Sequence, residues 1–329
     1  MNDIFKRIIL LIVFVAILFS GCQRTVENNS DIDLRHVPDT LELFAEHRVS
    51  TSLYERDMAI APNGKEFIYT LGTYDQRKRG LVVVEQNESV WSKAALLPFS
   101  GRYQDIEPFY SPDGNTLFFA SNRPIYGDAS RSDYNIWYVN RSQGIWSEPF
   151  PLDSLINTPK DEFYPAVTAN GTLYFTATRE DGIGREDIYR SEKISGNYEA
   201  PIVLDSMINS LAYEFNAYVD PEETLLIFSS FGREDGLGGG DLYFSKKTAD
   251  GHWSKSINMG PAINSEYLDY CPFVDLHTGN FYFTSERVKG DSTKINTPAD
   301  IENLALSTLN GMGNIYRIGL KNTPLKQLP

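Results

Sequence analysis

Cysteine and histidine are scarce in this sequence: 2 Cys and 4 His stand among 329 residues. So few cysteines rule out a disulfide framework, and the fold has to hold by its core. Isolated histidines such as His252 and His277 read as surface residues of loops rather than as a catalytic set. Positive charge is also short, with 30 Lys and Arg against 44 Asp and Glu and a net charge of -14. Binding to a nucleic acid backbone depends on clustered Lys and Arg, so nucleic acid is excluded as a partner. The apolar run from Ile8 to Phe19 is too short to span a bilayer comfortably and follows Lys6 and Arg7, as in an export signal. No motif implies a cofactor, and none is expected.

What the chain has in quantity is 19 Tyr, 19 Phe, 24 Gly and 17 Pro, the composition of many short strands separated by tight turns. The stretch from Glu107 to Pro124, EPFYSPDGNTLFFASNRP, reads as a β-hairpin turning at Pro112-Asp113-Gly114. Related hairpins begin at Arg56, Phe163, Phe215 and Tyr270, with turn glycines Gly64, Gly114, Gly171 and Gly279. Glu223 stands in the glycine position of the fourth copy. A turn of another type is expected there, because a side chain at positive φ is costly.

Each hairpin leads to a third strand (Asn135-Ile136-Trp137, Asp187-Ile188-Tyr189, Asp241-Leu242-Tyr243, Asn314-Ile315-Tyr316) and most lead to a fourth that opens on an aromatic residue. Ile156-Asn157-Thr158, Ile208-Asn209-Ser210 and Ile263-Asn264-Ser265 recur before the next hairpin. Four antiparallel strands repeated around a ring make a β-propeller. The predicted fold is all-β, a five-bladed propeller over 40–329, with six blades as the alternative. The last repeat lacks a fourth strand, and Thr40 to Ser52 lies at the right offset to supply it. An insert over 288–312 contains Thr297-Pro298-Ala299-Asp300, an N-cap signature, and a short helix is expected to end at Gly311.

Leu18-Phe19-Ser20-Gly21-Cys22 resembles the lipobox of bacterial lipoproteins. The resemblance implies cleavage after residue 21 and lipidation of Cys22, which leaves Cys271 without a partner. Residues 22–39 are polar and are expected to form a flexible tether. Gln23 is not the aspartate that retains enteric lipoproteins at the inner membrane, which by resemblance implies the outer membrane, facing the periplasm or the cell surface. The Pro-Asp-Gly hairpin, the Asp-Ile-Tyr strand and the Trp-Ser segment resemble the WD40-like propeller repeat of bacterial envelope proteins. Its relatives include the propeller of the Tol-Pal translocation protein. That resemblance implies the fold; propellers host binding modules and enzymes alike.

Charged residues recur with the repeat. Arg123, Arg179, Arg233 and Arg287 end four hairpins, and Glu55, Glu107, Glu162, Glu214 and Asp269 open five. They form either a ring around the channel that takes a polar ligand or a set of fixed ion pairs within and between blades. Repetition favours ion pairs, since catalysis needs groups whose pKa values are pushed apart. The aspartates flanking the glycine loops 178–187 and 232–241 lack an alternating set of oxygen ligands, and no metal site is expected. The resulting reading is a membrane-anchored binding or scaffolding module with an envelope protein or glycan partner. The alternative is a glycan-processing hydrolase, which requires a close, accessible carboxylate pair outside the repeat pattern.

Overall fold

The computed structural model describes residues 32–288 and 294–326. The export segment 1–21, Cys22 and the chain as far as residue 31 lie outside the described residues.

Five antiparallel blade sheets follow one another along the chain, with a two-stranded ribbon, Lys193–Ile194 paired with Asn197–Tyr198, beside the third. Blade 1 runs through Tyr54–Ile60, Glu66–Gly72, Arg79–Asn87 and the short outer pieces Val90–Trp91 and Ala95–Leu96. Blade 2 comprises Asp105–Tyr110, Thr116–Ser121, Asn135–Ser142, Ile145–Trp146 and Phe150–Pro151. Blade 3 comprises Glu162–Val167, Leu173–Ala177, Asp187–Ser191 and Ile202–Val203. Blade 4 comprises Tyr213–Val219, Leu225–Phe231, Asp241–Lys246 and Ile257–Asn258. In blade 5, Asp269–Asp275, Asn280–Ser285 and Asn314–Gly319 are joined by Glu42–Leu43 from the start of the chain. The first strand of each blade packs against the first strands of its two neighbours, blade 5 against blade 1 included, so the ring is closed.

The closing strand pairs Glu42 with Arg317 and Leu43 with Tyr316. Next to it, the Phe44 N–H donates to the Ile315 carbonyl at 2.8 Å, and the fully buried Phe44 ring meets Tyr282 of blade 5 at 5.3 Å and Phe67 of blade 1 at 5.7 Å. One side chain therefore bolts the last blade to the first. The ordered body begins earlier than composition suggested. Ile32 and Leu34 are buried, and the Asn280 amide donates to the carbonyls of Leu34 and His36 at 3.0 Å each. Residues 32–39, expected as tether, thus dock on blade 5.

Between blades the recurring asparagine acts as a strand substitute. Asn157 accepts from the Ile136 N–H at 2.8 Å and donates to the Ile136 and Leu152 carbonyls at 3.0 Å each, and Asn209 and Asn264 repeat the arrangement on Ile188 and Leu242. Buried backbone groups at each blade junction are satisfied in this way.

Two local expectations are corrected. Glu223 adopts φ +58° and its N–H bonds the Asp220 carbonyl at 3.0 Å, the same turn that Gly114 makes at φ +71°. Its side chain offsets the backbone cost by accepting from the Tyr174 hydroxyl and pairing with Lys247 at 3.0 Å. The insert helix spans Pro298–Ala305 with a Thr297–Asp300 capping box, but it ends at a Leu306 cap. Gly311, at φ +90°, lies in the later turn that sets Asn310 beside Val288.

Candidate functional site in the central channel

Each first strand opens on a buried carboxylate, and in four of the five it accepts from a Ser or Thr of the preceding blade junction. Glu162 accepts from the Thr158 N–H at 3.0 Å and hydroxyl at 2.6 Å, and Glu214 accepts from the Ser210 N–H at 2.8 Å and hydroxyl at 2.7 Å. Glu55 with Thr51 and Asp269 with Ser265 repeat the pattern. The hairpin arginines complete the clamp: Arg179 stands 3.9 Å from Glu162, Arg233 2.9 Å from Glu214 and Arg287 3.1 Å from Asp269. Each guanidinium also donates to a junction carbonyl, Ile156, Ile208 or Ile263, and lies over two aromatic rings of its blade, as Arg233 does over Phe228 and Tyr243. Arg, rather than Lys, suits this position because the planar fork can bond and stack at once.

In blade 2 the equivalent acid is Asp105, bonded to Arg123 and, at 2.6 Å, to the Ser121 hydroxyl. Glu107 lies two residues further on and belongs to a different layer. Every first strand carries a β-bulge there, with Asp57 (φ +60°), Glu107 (φ +61°), Tyr164 (φ +49°), Asn216 (φ +53°) and Cys271 (φ +54°) in the left-handed region. No glycine relieves the cost at any of the five, so the fold holds strained backbone at one height all round the axis.

The bulge turns these side chains onto one another. Arg56 donates through Nε to both Asp57 oxygens at 2.8 Å and through Nη2 to Glu107 Oε1 at 2.8 Å. Glu107 Oε2 accepts from the Tyr164 N–H at 2.8 Å, and the Cys271 thiol donates to Asp57 Oδ1 at 2.6 Å. The Tyr164 hydroxyl, from blade 3, reaches the Pro272 carbonyl of blade 5 at 3.4 Å. Those blades are not neighbours, so the contact crosses the axis. Burial pushes the Glu107 carboxyl up, against the pull of Arg56, and burial followed by the Asp57 charge pushes the Cys271 thiol well up. That thiol is a buried neutral group, the opposite of a reactive thiolate.

Two residues further along each strand stand Ala59, Phe109, Ala166, Tyr218 and Phe273. The Phe109 and Tyr218 rings from blades 2 and 4 lie 6.3 Å apart, and Tyr218 meets Phe273 at 5.8 Å. Three aromatic rings thus close the axis beneath the polar layer. Above it, at the end where the first strands begin, Tyr54, Tyr164, Tyr270 and Cys271 form a buried cluster against Phe163, Phe215, Leu268 and Met312. The Tyr270 hydroxyl donates to Tyr54 at 3.0 Å, which in turn donates to Glu286. The channel is therefore a shallow apolar mouth over a buried ionic layer and an aromatic plug.

Of the residues singled out by the repeat, Glu162, Arg179, Glu214, Arg233, Asp269, Arg287 and Arg123 sit in blade-junction clamps, and Glu107 sits in the central layer. Its companions Arg56, Asp57, Tyr164, Asn216 and Cys271 were missed. Their signal is present, though: aligning the hairpin copies on their opening carboxylates puts five chemically different residues in one column. The aspartates of the glycine loops turn back on their own backbone, Asp187 accepting the Ile183 N–H at 2.9 Å and the Gly184 N–H at 3.1 Å. A Cβ on Gly184 would come within 2.3 Å of the Ser210 carbonyl oxygen, so the glycine lets this loop lie against the next junction.

No family model matches this chain, and no curated protein matches it. Among solved structures it is similar to a TolB-type protein from Agrobacterium tumefaciens, at 16% identity over 71% of this chain and 70% of that one, with a TM-score of 0.46. The TolB of Acinetobacter baumannii aligns at 12% identity and TM-score 0.43 over 80% of this chain and 54% of that one, so the chain spans about half of that protein's length. A glycoside hydrolase aligns at 8% identity with a TM-score of 0.53, over 82% of this chain and 87% of that one. The closed ring of five sheets defines the class as a five-bladed β-propeller, and the glycoside hydrolase aligned at a TM-score of 0.53 is similar to it in fold.

Proposed function

We propose that the chain is an outer-membrane lipoprotein, anchored through Cys22 and facing the periplasm, whose propeller binds an envelope protein or glycan at the apolar mouth and carries out no hydrolysis. The observation that carries the reading is the position of Arg56. A glycosidase needs two carboxylates on either side of the scissile bond, with room between them for the sugar carbon or a water. Here the space between Asp57 and Glu107 is taken by a guanidinium bonded to both, and the two acids are 1% and 4% exposed. The mouth above them presents Phe163, Phe215, Leu268 and Met312, partly buried apolar groups of the kind that form the centre of a binding patch.

The hydrolase reading draws on one feature, the raised pKa of Glu107, which a general acid requires. It lacks access. The discriminating experiment pairs a glycan hydrolysis screen with affinity capture from solubilised envelope, using the wild type and Leu268→Asp with Met312→Asp. Capture lost in the mouth variant, with no turnover in either protein, supports the binding reading; turnover lost on Glu107→Gln overturns it. The anchor is tested separately, since Cys22→Ala should move the protein from the membrane fraction to the soluble fraction.

A further inference from the structure

At the same end of the propeller, between blades 1 and 2, lies a cavity of about 390 Å³ bordered by Lys78, Arg79, Arg102, Tyr103, Gln104 and Asn122. Its lining residues are distinct from those of the mouth, which it adjoins through Tyr134, the partner of Arg79, whose ring lies 5.1 Å from that of Phe163. Four cations, Arg77, Lys78, Arg79 and Arg102, line it on a chain whose net charge is -14, and of these Arg77 is already paired with Asp75 at 3.4 Å. Arg79 is half-buried and held in place by neutral groups only. It donates through Nε to Gln104 Oε1 at 2.9 Å, through Nη1 to Gln76 at 3.5 Å and through Nη2 to the Tyr134 hydroxyl at 2.5 Å, with its guanidinium 5.5 Å from the Tyr134 ring centre.

Arg141, Arg179 and Arg233, also half-buried, each have a carboxylate partner instead. Arg79 does act through space on Glu107, but the hydrogen bonds of that carboxylate go to Arg56 and the Tyr164 N–H. Among the described residues, neither Lys78 nor Arg102 forms an ion pair; Arg102 lies over the Tyr103 ring at 5.3 Å.

Hydrogen-bond bookkeeping at the cavity is one-sided. Both side-chain amide oxygens already accept within the wall, Gln104 Oε1 from Arg79 and Asn122 Oδ1 from the Gln104 N–H at 2.9 Å. The donors are left over: one N–H on each terminal nitrogen of Arg79, the side-chain amides of Gln104 and Asn122, the Arg102 fork and the Lys78 ammonium. A wall rich in donors and cations and poor in acceptors is matched by an oxyanion, and a fixed guanidinium matches the two oxygens of a carboxylate or phosphate. Leu71 and Leu96 supply an apolar stretch of wall that suits the C–H face of a sugar ring, and the volume is that of a small-molecule site.

We propose that this cavity binds a monosaccharide-sized oxyanion, a sugar unit carrying a carboxylate or a phosphate. The guanidinium groups of Arg79 and Arg102 take the anionic group, and the amides of Gln104 and Asn122 donate to ring hydroxyls.

Titration calorimetry of the purified full chain at low salt, with glucuronate, glucose 6-phosphate, glucose and inorganic phosphate as probes, tests this. Binding of glucuronate or glucose 6-phosphate is expected, the stronger of the two identifying the anionic group, with no heat from glucose. Arg102→Gln, at an exposed position, and Arg79→Gln should each weaken binding by about tenfold or more, the loss of one charge-assisted contact. An unchanged melting temperature in Arg102→Gln keeps the comparison valid even if Arg79→Gln folds poorly. The proposal is overturned if neither sugar anion binds at about 10 mM, in the range of the weakest specific sites. It is equally overturned if glucose binds as well, if Arg102→Gln binds like the wild type, or if inorganic phosphate binds as tightly as the sugar phosphate, an adventitious ion only.

Discussion

Arg56 of blade 1 donates to Glu107 of blade 2 at 2.8 Å, and the same guanidinium closes on Asp57 beside it. One cation thereby serves two buried anions on the axis. Removing one partner of a buried ion pair is far more damaging than never having had the pair, because the charge left behind has neither water nor counter-ion. Arg56→Met should therefore lower stability by about 3–5 kcal/mol in urea unfolding. Combining it with Glu107→Gln should restore part of the loss. A double variant less stable than the single one would show that Glu107 is held by something other than Arg56.

Glu55 and Glu162 are fully buried, and burial raises each to about 7 against the lowering effect of Thr51 or Thr158. A carboxyl whose folded-state pKa exceeds its unfolded value binds its proton more tightly when folded. Its contribution is complete below the unfolded value, near 4.5, and is lost as pH rises to about 7. Stability should fall between about pH 5 and pH 7, and Glu55→Gln or Glu162→Gln should each flatten that slope. Melting temperatures across that range decide it: a slope unchanged in both variants contradicts the assignment.

Glu223 carries a backbone conformation that glycine takes in the other four hairpin turns. Glu223→Ala keeps the strain and loses the bonds to Tyr174 and Lys247, whereas Glu223→Gly loses the bonds but relieves the strain. The glycine variant should be the more stable of the two by about 1 kcal/mol, the usual difference for a residue at positive φ. Equal stabilities would remove strain from the explanation of this turn.

Ring closure rests on few residues, since the closing strand Glu42–Leu43 is only 2 residues long. Phe44→Ala removes the fully buried ring between blades 5 and 1 and should cost about 3–5 kcal/mol, as large-to-small core changes do. Because blade 5 depends on that strand, its amides, such as those of Tyr316 and Ile318, should lose hydrogen-exchange protection before those of blade 3. Uniform loss across all blades would contradict closure as the weak point.

Blade number and closure were legible because they depend on local signals. Pro-Asp-Gly and Ala-Asn-Gly turns punctuate hairpins at fixed offsets, and a missing outer strand at one end matched a spare strand at the other. Glu107 was grouped with the opening carboxylates, a position that Asp105 holds, for an equally physical reason. Asp105-Ile106-Glu107 offers two carboxylates two residues apart, and only the bulge, which leaves no mark in residue type, separates a junction clamp from the axis. Glu223 shows the same limit, because a side chain that bonds Tyr174 in the preceding blade can hold a turn that local preference assigns to glycine. The docking of Ile32 and Leu34 was hidden by the polar residues around them.

On the proposed reading, Asp57 and Glu107 form an inert buried layer rather than an acid and base. The most direct measurement is the rate of aglycone release from a panel of aryl glycosides by the wild type, Asp57→Asn and Glu107→Gln, assayed side by side between about pH 5 and pH 7, where glycosidase carboxyls operate. An inert layer leaves all three at the uncatalysed background. Turnover by the wild type that disappears in either variant, with the fold intact, contradicts it.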